Sequence, residues 1–421
     1  MTHVFTGLLG VQTSEMQETV SIHLKQNESM AQPVRIRLSF SVPVIFGCYS
    51  YFPAQCAIIA TMNWKKAKIN DFQLSLLNWY RVNQRSLPWR KTRDPYKVWV
   101  SEIMSQQTQV ETVIPYYERF VKKYPAISDL ANADDAELLK LWEGLGYYSR
   151  ARNLKSGAQQ MMSEFDGEFP QEIDKIRSIK GIGPYTAASI ASICFGQAEP
   201  AIDGNLFRVG SRIFEISDDI SKSATRKVFD MKFRPLMSHH QDAGNFNQAL
   251  MDIGAMICHP KSPKCEICPI SAYCAAFEHG TQENFPVKSK KIKQKDVYYQ
   301  AFAVKSGEKF LMSQRPSDGL LADMWTFPLR ETAENAAVEL PADLSNRVVK
   351  FAEVGEITHV FSHLKWHVRL VVCQLESGLV QEETSLYNQK WLSEKDLKKH
   401  ALAGPQIKLF RLLKNPERLN T

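Results

Sequence analysis

Ile179-Lys180-Gly181-Ile182-Gly183-Pro184-Tyr185-Thr186-Ala187-Ala188 is the stretch whose reading decides the fold. Two glycines two apart let the backbone turn with its amides facing outward, and Pro184 suits the first position of the helix that follows. A helix start with free amides and no side chain in the way is an anion site, and Lys180 stands beside it. Alone the signal is weak, because tight turns between packed helices use glycine anyway. Its surroundings are helical from about Ile69 to Cys258. Phe72, Leu74, Leu76, Leu77 and Tyr80 form a helical stripe, and Asp94-Pro95 offers an N-cap followed by proline. Residues 111–124, 134–142, 148–165, 171–179, 185–195, 204–214 and 244–257 each read as a helix of three to five turns, with Gly, Pro or Asp at the breaks. No strand-like alternation interrupts them, so this is an all-α domain.

Directly after the last of these helices come Cys258, Cys265, Cys268 and Cys274, spaced C-x6-C-x2-C-x5-C. The other four of the eight cysteines, Cys48, Cys56, Cys194 and Cys373, are scattered. A disulfide-stapled secreted fold is short and cysteine-dense throughout. One tight cluster in a 421-residue chain points instead to a metal site in a reducing compartment. Four thiolates suit a structural zinc or an iron–sulfur cluster. Zinc ribbons place their cysteines as two close pairs, and here only Cys265 and Cys268 are close, which favours a 4Fe–4S cluster. The spacing matches none of the ferredoxin runs, so electron transfer as the main task is not implied.

Composition bounds the rest. At 44% apolar and 23% charged residues the chain is ordinary for a globular protein, which excludes whole-chain disorder, collagen-like repeats and coiled coil. Its length allows two or three domains. The net charge of +7 is a mild basic excess and only a weak hint of a polyanionic partner. Residues 1–61 read differently: their six charges cancel, and Leu38–Trp64 has none. A membrane helix needs about 20 mostly apolar residues, but Pro43, Pro53, Gln55 and several serines interrupt this one. No basic stretch at Met1 suggests a signal peptide. The expectation is a working protein that starts near Met62, with residues 1–61 a leader that is disordered or not translated. A membrane anchor there is the alternative, and no other segment is a membrane candidate.

Beyond the cysteines, Lys288, Lys290, Lys291, Lys293 and Lys295 follow Pro286 and read as an exposed linker over 287–296, either a solvated tether or a phosphate-tracking one. The period then changes to two over Val297–Val304, Lys309–Ser313 and Ile357–Leu375, so residues 297–421 form a separate α+β domain. On the strand around Phe361, His359, Phe361, His363, Lys365, His367 and Arg369 share one face. A basic, histidine-rich face suits DNA, although an ordinary solvent face has the same pattern.

Hairpin, downstream aspartate and cysteine spacing, in this order, resemble the helix-hairpin-helix DNA glycosylase superfamily with an iron–sulfur cluster. Leu87-Pro88-Trp89-Arg90, Ser101-Glu102-Ile103-Met104-Ser105-Gln106-Gln107-Thr108, Gly144-Leu145-Gly146-Tyr147-Tyr148 and Phe361-Ser362-His363 resemble the MutY-type adenine DNA glycosylases. The likeness runs from Met62 to the end. It implies a multidomain protein: an all-α helix-hairpin-helix glycosylase domain over 62–286, with a 4Fe–4S cluster held by 258–274, then a Nudix-like domain over 297–421. The latter is marked by Gly319-Leu320-Leu321-Ala322-Asp323-Met324-Trp325-Thr326-Phe327-Pro328. Glu331 to Pro341 lacks the glutamate-rich core of a working Nudix hydrolase, so this domain should bind and not hydrolyse.

Breaking an N-glycosidic bond requires that the base leave protonated while a sugar cation is stabilised, and two carboxylates meet that need. Glu102 lies among Trp99, Ile103 and Met104, a setting that raises a carboxyl's pKa and suits proton donation. Asp203 precedes a helix and by itself reads as an N-cap. The resemblance implies that Glu102 protonates adenine and that Asp203 faces the sugar, with Tyr185 and Asn205 in the same catalytic set. Strand-cleaving relatives carry a lysine at the position of Tyr185, so the resemblance implies a monofunctional enzyme that leaves an abasic site. The target base must be flipped from the duplex. By the same likeness Gln107 and Tyr147 wedge into the stack, Lys180, Gly181 and Gly183 hold a backbone phosphate, and Phe361, Ser362 and His363 meet 8-oxoguanine. For Tyr147, packing at a helix end is the plain alternative. The partner implied is double-stranded DNA with adenine:8-oxoguanine or adenine:guanine mispairs, met by a monomer in a bacterial cytoplasm, beside the nucleoid. Rival readings are an endonuclease III-like glycosylase/lyase for oxidised pyrimidines and a non-catalytic iron–sulfur DNA-binding protein.

Overall fold

The computed structural model describes residues 64–237, 242–289, 294–345, 348–375 and 388–414. The leader 1–61, and Lys290, Lys291 and Lys293 of the linker, lie outside the described residues. Among the described residues no helix is long and apolar enough to cross a membrane.

The helical part runs α1 Lys66–Asn83, α2 Pro95–Ser105, α3 Val110–Lys123, α4 Ile127–Ala131, α5 Asp135–Trp142, α6 Ser149–Glu164, α7 Ile173–Ser178, α8 Pro184–Phe195, α9 Gly204–Phe214, α10 Thr225–Met237, α11 Ala243–Met256 and α12 Ala275–Glu278. Local chemistry sets several boundaries. Asp94 caps α2 by accepting from the amides of Tyr96 and Lys97, and Pro95 follows at the first turn. Asp134 caps α5 through the amide of Glu137 at 2.9 Å. The expected helix over 171–179 is only six residues long, and α10 was not expected at all. α10 carries Pro235 inside it, yet Phe229, Phe233 and Leu236 are buried. Burial of an apolar face overrides the poor local propensity.

Two apolar cores divide the helices. One, around Trp99, Phe120, Trp142 and Leu154, joins α2 to α8. The other, around Phe72, Phe229, Phe233 and Phe246, joins α1 to α9, α10 and α11. The groove between them is bridged by a small cluster of Ala188, Ala201 and Met251 with Tyr185 against it. Side chains from both cores therefore meet in one cleft.

The C-terminal part holds β1 Lys295–Ser306, β2 Lys309–Gln314, β3 Trp325–Thr326, β4 Leu329–Thr332, α13 Ala342–Ser345, β5 Val348–Val360, β6 Leu364–Leu375, β7 Gln389–Ser393, α14 Glu394–Leu397 and α15 Gly404–Lys414. The sheet order is β3-β2-β1-β6-β5, with β4 on β1 and β7 on β2. β1 and β6 are parallel and the other pairs antiparallel. This is a mixed α+β sheet with α15 packed on one face. After β4 the described chain forms no helix until the single turn α13, so the place of a glutamate-rich helix is taken by irregular chain with a turn at Glu334-Asn335.

The alternating stretch Ile357–Leu375 is not one strand. Val360 and Leu364 end and begin β5 and β6, and Phe361, Ser362 and His363 are the turn between them, closed by the Phe361 amide on the Leu364 carbonyl at 2.7 Å. The turn changes the phase of the alternation. Ile357 points inward on β5, while Trp366, Val368 and Leu370 point inward on β6. His359 pairs with Trp366 and lies on the inward side, where burial and then Lys408 push its pKa down to about 4. His367 sits between Asp296 (2.7 Å) and Glu356 (3.2 Å), and Arg369 pairs with Glu353. The expected basic face is therefore split by the hairpin and largely neutralised by carboxylates.

The two parts touch. Met324, Ala401 and Ala403 are buried within the helical core around Trp142. Arg152 of α6 donates to the Ala322 carbonyl and pairs with Asp323 at 3.2 Å. Glu143 accepts from the Leu402 amide at 2.7 Å. The Gly319–Met324 segment, singled out as Nudix-like, thus supplies a docking contact.

Candidate active site and nucleic-acid interface

The hairpin positions the first element of the site. α7 ends at Ser178, Gly181 turns at φ +84°, and Gly183 begins α8 with no side chain capping it. A Cβ on Gly181 would come within 2.7 Å of the Asn153 Cβ, so position 181 needs glycine for space as well as conformation. The first-turn amides of α8 face away from any capping carboxylate, and Lys180 is exposed beside them. An anionic oxygen fits there.

One turn into α8 the side chains point into the cleft. Tyr185 donates to Glu102 Oε2 at 2.6 Å, and Ser189 donates to Oε1 at 2.8 Å. Glu102 stands on α2, so the opposing faces of α2 and α8 build this cluster. Burial raises the Glu102 pKa; the two hydroxyl bonds work against that rise, and nearby Asp203 adds to it. Burial, followed by the charge of Glu102, holds the Tyr185 phenol well above its ordinary range. Glu102, Tyr185 and Asp203 are each half-buried.

Asp203 does cap α9, accepting from the Leu206 amide at 2.7 Å. Its other oxygen accepts from Asn205 Nδ2 at 2.9 Å. Burial raises its pKa, opposed by the bonds from Leu206 and Asn205 and by the charge of Arg208. Asn205 in turn accepts from Arg208 at 2.9 Å, and Arg208 donates to the Cys258 carbonyl at 2.7 Å. A short chain of hydrogen bonds thus runs from Asp203 to the first cysteine.

Several members of the site were not read from the sequence. Ser189 is one. Asp252, fully buried on α11, is bound by Arg85 and by both terminal nitrogens of Arg90. Burial acts to raise its pKa, but Arg90 and Arg85 outweigh it and keep the carboxyl low. Its signal was a lone charge inside Ala-Leu-Met-Asp-Ile-Gly. Arg150 is another. Its guanidinium donates to the carbonyls of Ile103 (2.7 Å), Met104 (3.0 Å), Gln106 (2.8 Å), Leu145 (3.1 Å) and Gly146 (3.1 Å). It fastens the end of the Glu102 helix to the loop carrying Tyr147.

The two wedge candidates stand on these two loops. Gln107 and Tyr147 both adopt positive φ, +56° and +47°, although neither is glycine. Such conformations cost of order 1–3 kcal/mol and persist where the surroundings impose them; Arg150 binds the carbonyl just before each, those of Gln106 and Gly146. Tyr147 is 46% exposed, and its hydroxyl lies 2.9 Å from Ser362 Oγ in the β5–β6 turn. Ser362 and His363 are exposed and Phe361 is half-buried against Trp366. The structure brings together Glu102, Tyr185, Asp203 and Asn205, and separately Tyr147 with Ser362 of the Phe361–His363 turn.

Cys258 follows α11, Cys265 and Cys268 flank a single turn, and Cys274 follows another; none is in a disulfide. Burial and then the charges of Cys258, Cys274 and Cys265 push the Cys268 thiol up to about 12. Burial and then neighbouring thiol charge also raise Cys265, and a bound cation reverses such a rise. Among the described residues no three or more His, Cys, Asp or Glu side chains are arranged to hold a single metal ion. Four cysteines free of disulfides are the donor set of an iron–sulfur cluster. The cluster loop packs Ile270 into the core around Phe72, so the group when bound supplies structure at one end of α9 and α11.

Family models match in the same order. Residues 100–235 match the HhH-GPD superfamily of base excision DNA repair proteins, 258–274 the iron-sulfur binding domain of endonuclease III, and 300–412 the NUDIX domain. The adenine DNA glycosylase of Rattus norvegicus is 32% identical over 413 residues, covering 84% of this chain and 80% of the relative. That of Arabidopsis thaliana is 36% identical, covering 73% and 58%. That of Buchnera aphidicola from Schizaphis graminum is 32% identical, covering 82% and 99%.

Proposed function

The chain belongs to the adenine DNA glycosylase family, a hydrolase of base-excision repair that carries a 4Fe–4S cluster, and from that premise we propose which residues do the work and which adenine is taken. Glu102 is the general acid. Asp203 is the carboxylate that faces the sugar. The observation that carries the division is how unequally the two are hydrogen-bonded. Asp203 accepts from the Leu206 amide and from Asn205, with Arg208 behind them, and these stabilise its charged form. Burial raises both carboxyls, and Glu102 is supported only by two neutral hydroxyls. A backbone amide, an amide side chain and an arginine suit Asp203 to remain the anion, and the hydroxyl setting suits Glu102 to hold the proton.

In the reaction, Glu102 gives its proton to a ring nitrogen of the flipped adenine as the N-glycosidic bond breaks. The bonding pair leaves with the base, the sugar cation forms beside Asp203, and water adds to the anomeric carbon, giving its proton to the now ionised Glu102. Asn205 keeps the Asp203 oxygen aimed. Tyr185 orients Glu102 and offers no amine for a Schiff base, so the product is an abasic site in an uncut strand.

The adenine taken is the one opposite 8-oxoguanine or guanine. Adenine is the same in every pair, so the opposite base must be read away from the acid. The Tyr147–Ser362 contact supports the Phe361–His363 turn as that reader, because a wedge residue and a turn rich in donors meet there. Lys180, Gly181 and Gly183 hold a phosphate, and Gln107 and Tyr147 fill the gap left by the flipped base. The helical domain extends over 62–286, the linker over 287–296 and the reading domain over 297–421. The site is assembled within one chain, consistent with a monomer acting on duplex DNA in a bacterial cytoplasm, beside the nucleoid. Single-turnover excision on adenine:8-oxoguanine and adenine:guanine duplexes tests the assignment. Glu102→Gln should nearly abolish adenine release while duplex binding persists, since proton donation is worth about 10²–10⁴-fold. Ser362→Ala with His363→Ala should slow adenine:8-oxoguanine far more than adenine:guanine, and equal slowing would defeat the reading role.

A further inference from the structure

Arg212 lies at the far end of α9 from Asp203 and is 1% exposed. Among the described residues no carboxylate pairs with it. It donates instead to the carbonyls of His259 (2.7 Å), Pro260 (3.0 Å), Gln282 (2.8 Å) and Phe285 (3.2 Å), and to Cys258 Sγ at 3.1 Å. Its own carbonyl is 3.3 Å from Cys274 Sγ. The first two carbonyls directly follow Cys258 and the last two follow Cys274, so one side chain closes the whole cysteine excursion.

A buried guanidinium without a counter-ion is costly, and carbonyl dipoles offset only part of that cost. The group beside it that becomes anionic is Cys258. Four thiolates around a 4Fe–4S core carry net negative charge, which grows on reduction. A fixed cation donating an N–H to one of those sulfurs favours the more reduced state. Arg208 donates to the Cys258 carbonyl, Gly254 and Asn205, whereas the bond to the Cys258 sulfur comes from Arg212.

We propose that Arg212 is the built-in counter-charge of the cluster, a positioning residue that holds the Cys258 thiolate and raises the cluster's reduction potential. The test uses the full chain, purified anaerobically with its cluster. Iron and sulfide content and direct voltammetry are measured on the wild type, Arg212→Lys and Arg212→Gln. Content is scored separately, so that loss of cluster is not mistaken for a change in potential. The potential should fall in the order wild type, Lys, Gln, and Lys should retain more cluster than Gln. A loaded Gln variant with the wild-type potential would overturn the proposal. Should neither variant keep its cluster, wild-type protein carrying ¹⁵N-labelled arginine gives the answer by pulsed electron paramagnetic resonance in a paramagnetic cluster state. A ¹⁵N coupling with an exchangeable proton is expected, and its absence would overturn the assignment equally.

Discussion

Tyr185→Phe should move the alkaline limb of the excision rate to higher pH. Glu102 can donate only while protonated, and burial already holds its carboxyl above the ordinary range. The Tyr185 hydroxyl, 2.6 Å from Oε2, opposes that by stabilising the carboxylate. Removing the hydroxyl takes away support for the charged form alone, so the protonated form persists further into alkali. A hydrogen bond to a charged group is worth about 1.5–3 kcal/mol. At 1.36 kcal/mol for each factor of ten in proton affinity, the limb should rise by about 1–2 pH units. The phenol itself is not a competing source of the limb, because burial and Glu102 keep it protonated well past the ordinary tyrosine range.

The assay is single-turnover adenine release at saturating enzyme across about pH 5–10, with Ser189→Ala and the double variant in parallel. Ser189 bonds the other oxygen at 2.8 Å, so its removal should shift the limb the same way, and the double variant should shift it further. The acid plateau should change less than the limb. A limb that stays in place, or moves down, in all three variants would refute Glu102 as the titrating acid.

Glu102 also makes a prediction about stability. A carboxyl whose folded pKa lies above its unfolded value keeps its proton in the native state longer, so stability falls as pH rises between the two. Glu102→Gln should therefore melt higher than wild type at pH 8, with the gain fading toward pH 4, as read by thermal denaturation at both. Asp203→Asn should separate capping from chemistry: asparagine caps as well as aspartate, so melting should move little, while excision should fall about 10²–10³-fold through lost charge. Gly181→Ala forces a side chain into positive φ and against Asn153; binding by fluorescence anisotropy should weaken equally for mismatched and fully paired duplexes. A double-mutant cycle on Tyr147→Phe and Ser362→Ala should give a coupling of about 0.5–1.5 kcal/mol in adenine:8-oxoguanine excision, and a coupling of zero would mean the 2.9 Å contact does not act during reading.

What could be read from the sequence was what is local. Asp94-Pro95, the glycine hairpin and the cysteine spacing each declare themselves within one or two turns of chain, because the physics that makes them is short-ranged. Glu102 and Asp203 were singled out through the family resemblance, the helix start at Asp203 by itself giving only a cap. The residues that hold the site rigid were not. Ser189 reaches Glu102 across 87 residues, Arg90 reaches Asp252 across 162, and Arg150 reaches the Ile103 carbonyl across 47. In sequence Arg150 and Arg212 look like surface charges, since nothing nearby announces the carbonyls they serve.

The strand misreading has a sharper cause. A hairpin leaves alternation intact on each arm and alters only its phase, and apolar Ile357 is out of step with Trp366, Val368 and Leu370. That phase slip was the available signal, and it fell on Phe361-Ser362-His363, the three residues already singled out for function. The two facts belong together. A residue inside a strand shares its backbone groups with neighbours and shows only one side, whereas a turn frees its donors and projects them. Only as a turn can Ser362 stand against Tyr147 of the helical part, on the loop that Arg150 fastens to the end of the Glu102 helix. The Tyr147–Ser362 contact therefore depends on the very break in pattern that the alternation concealed.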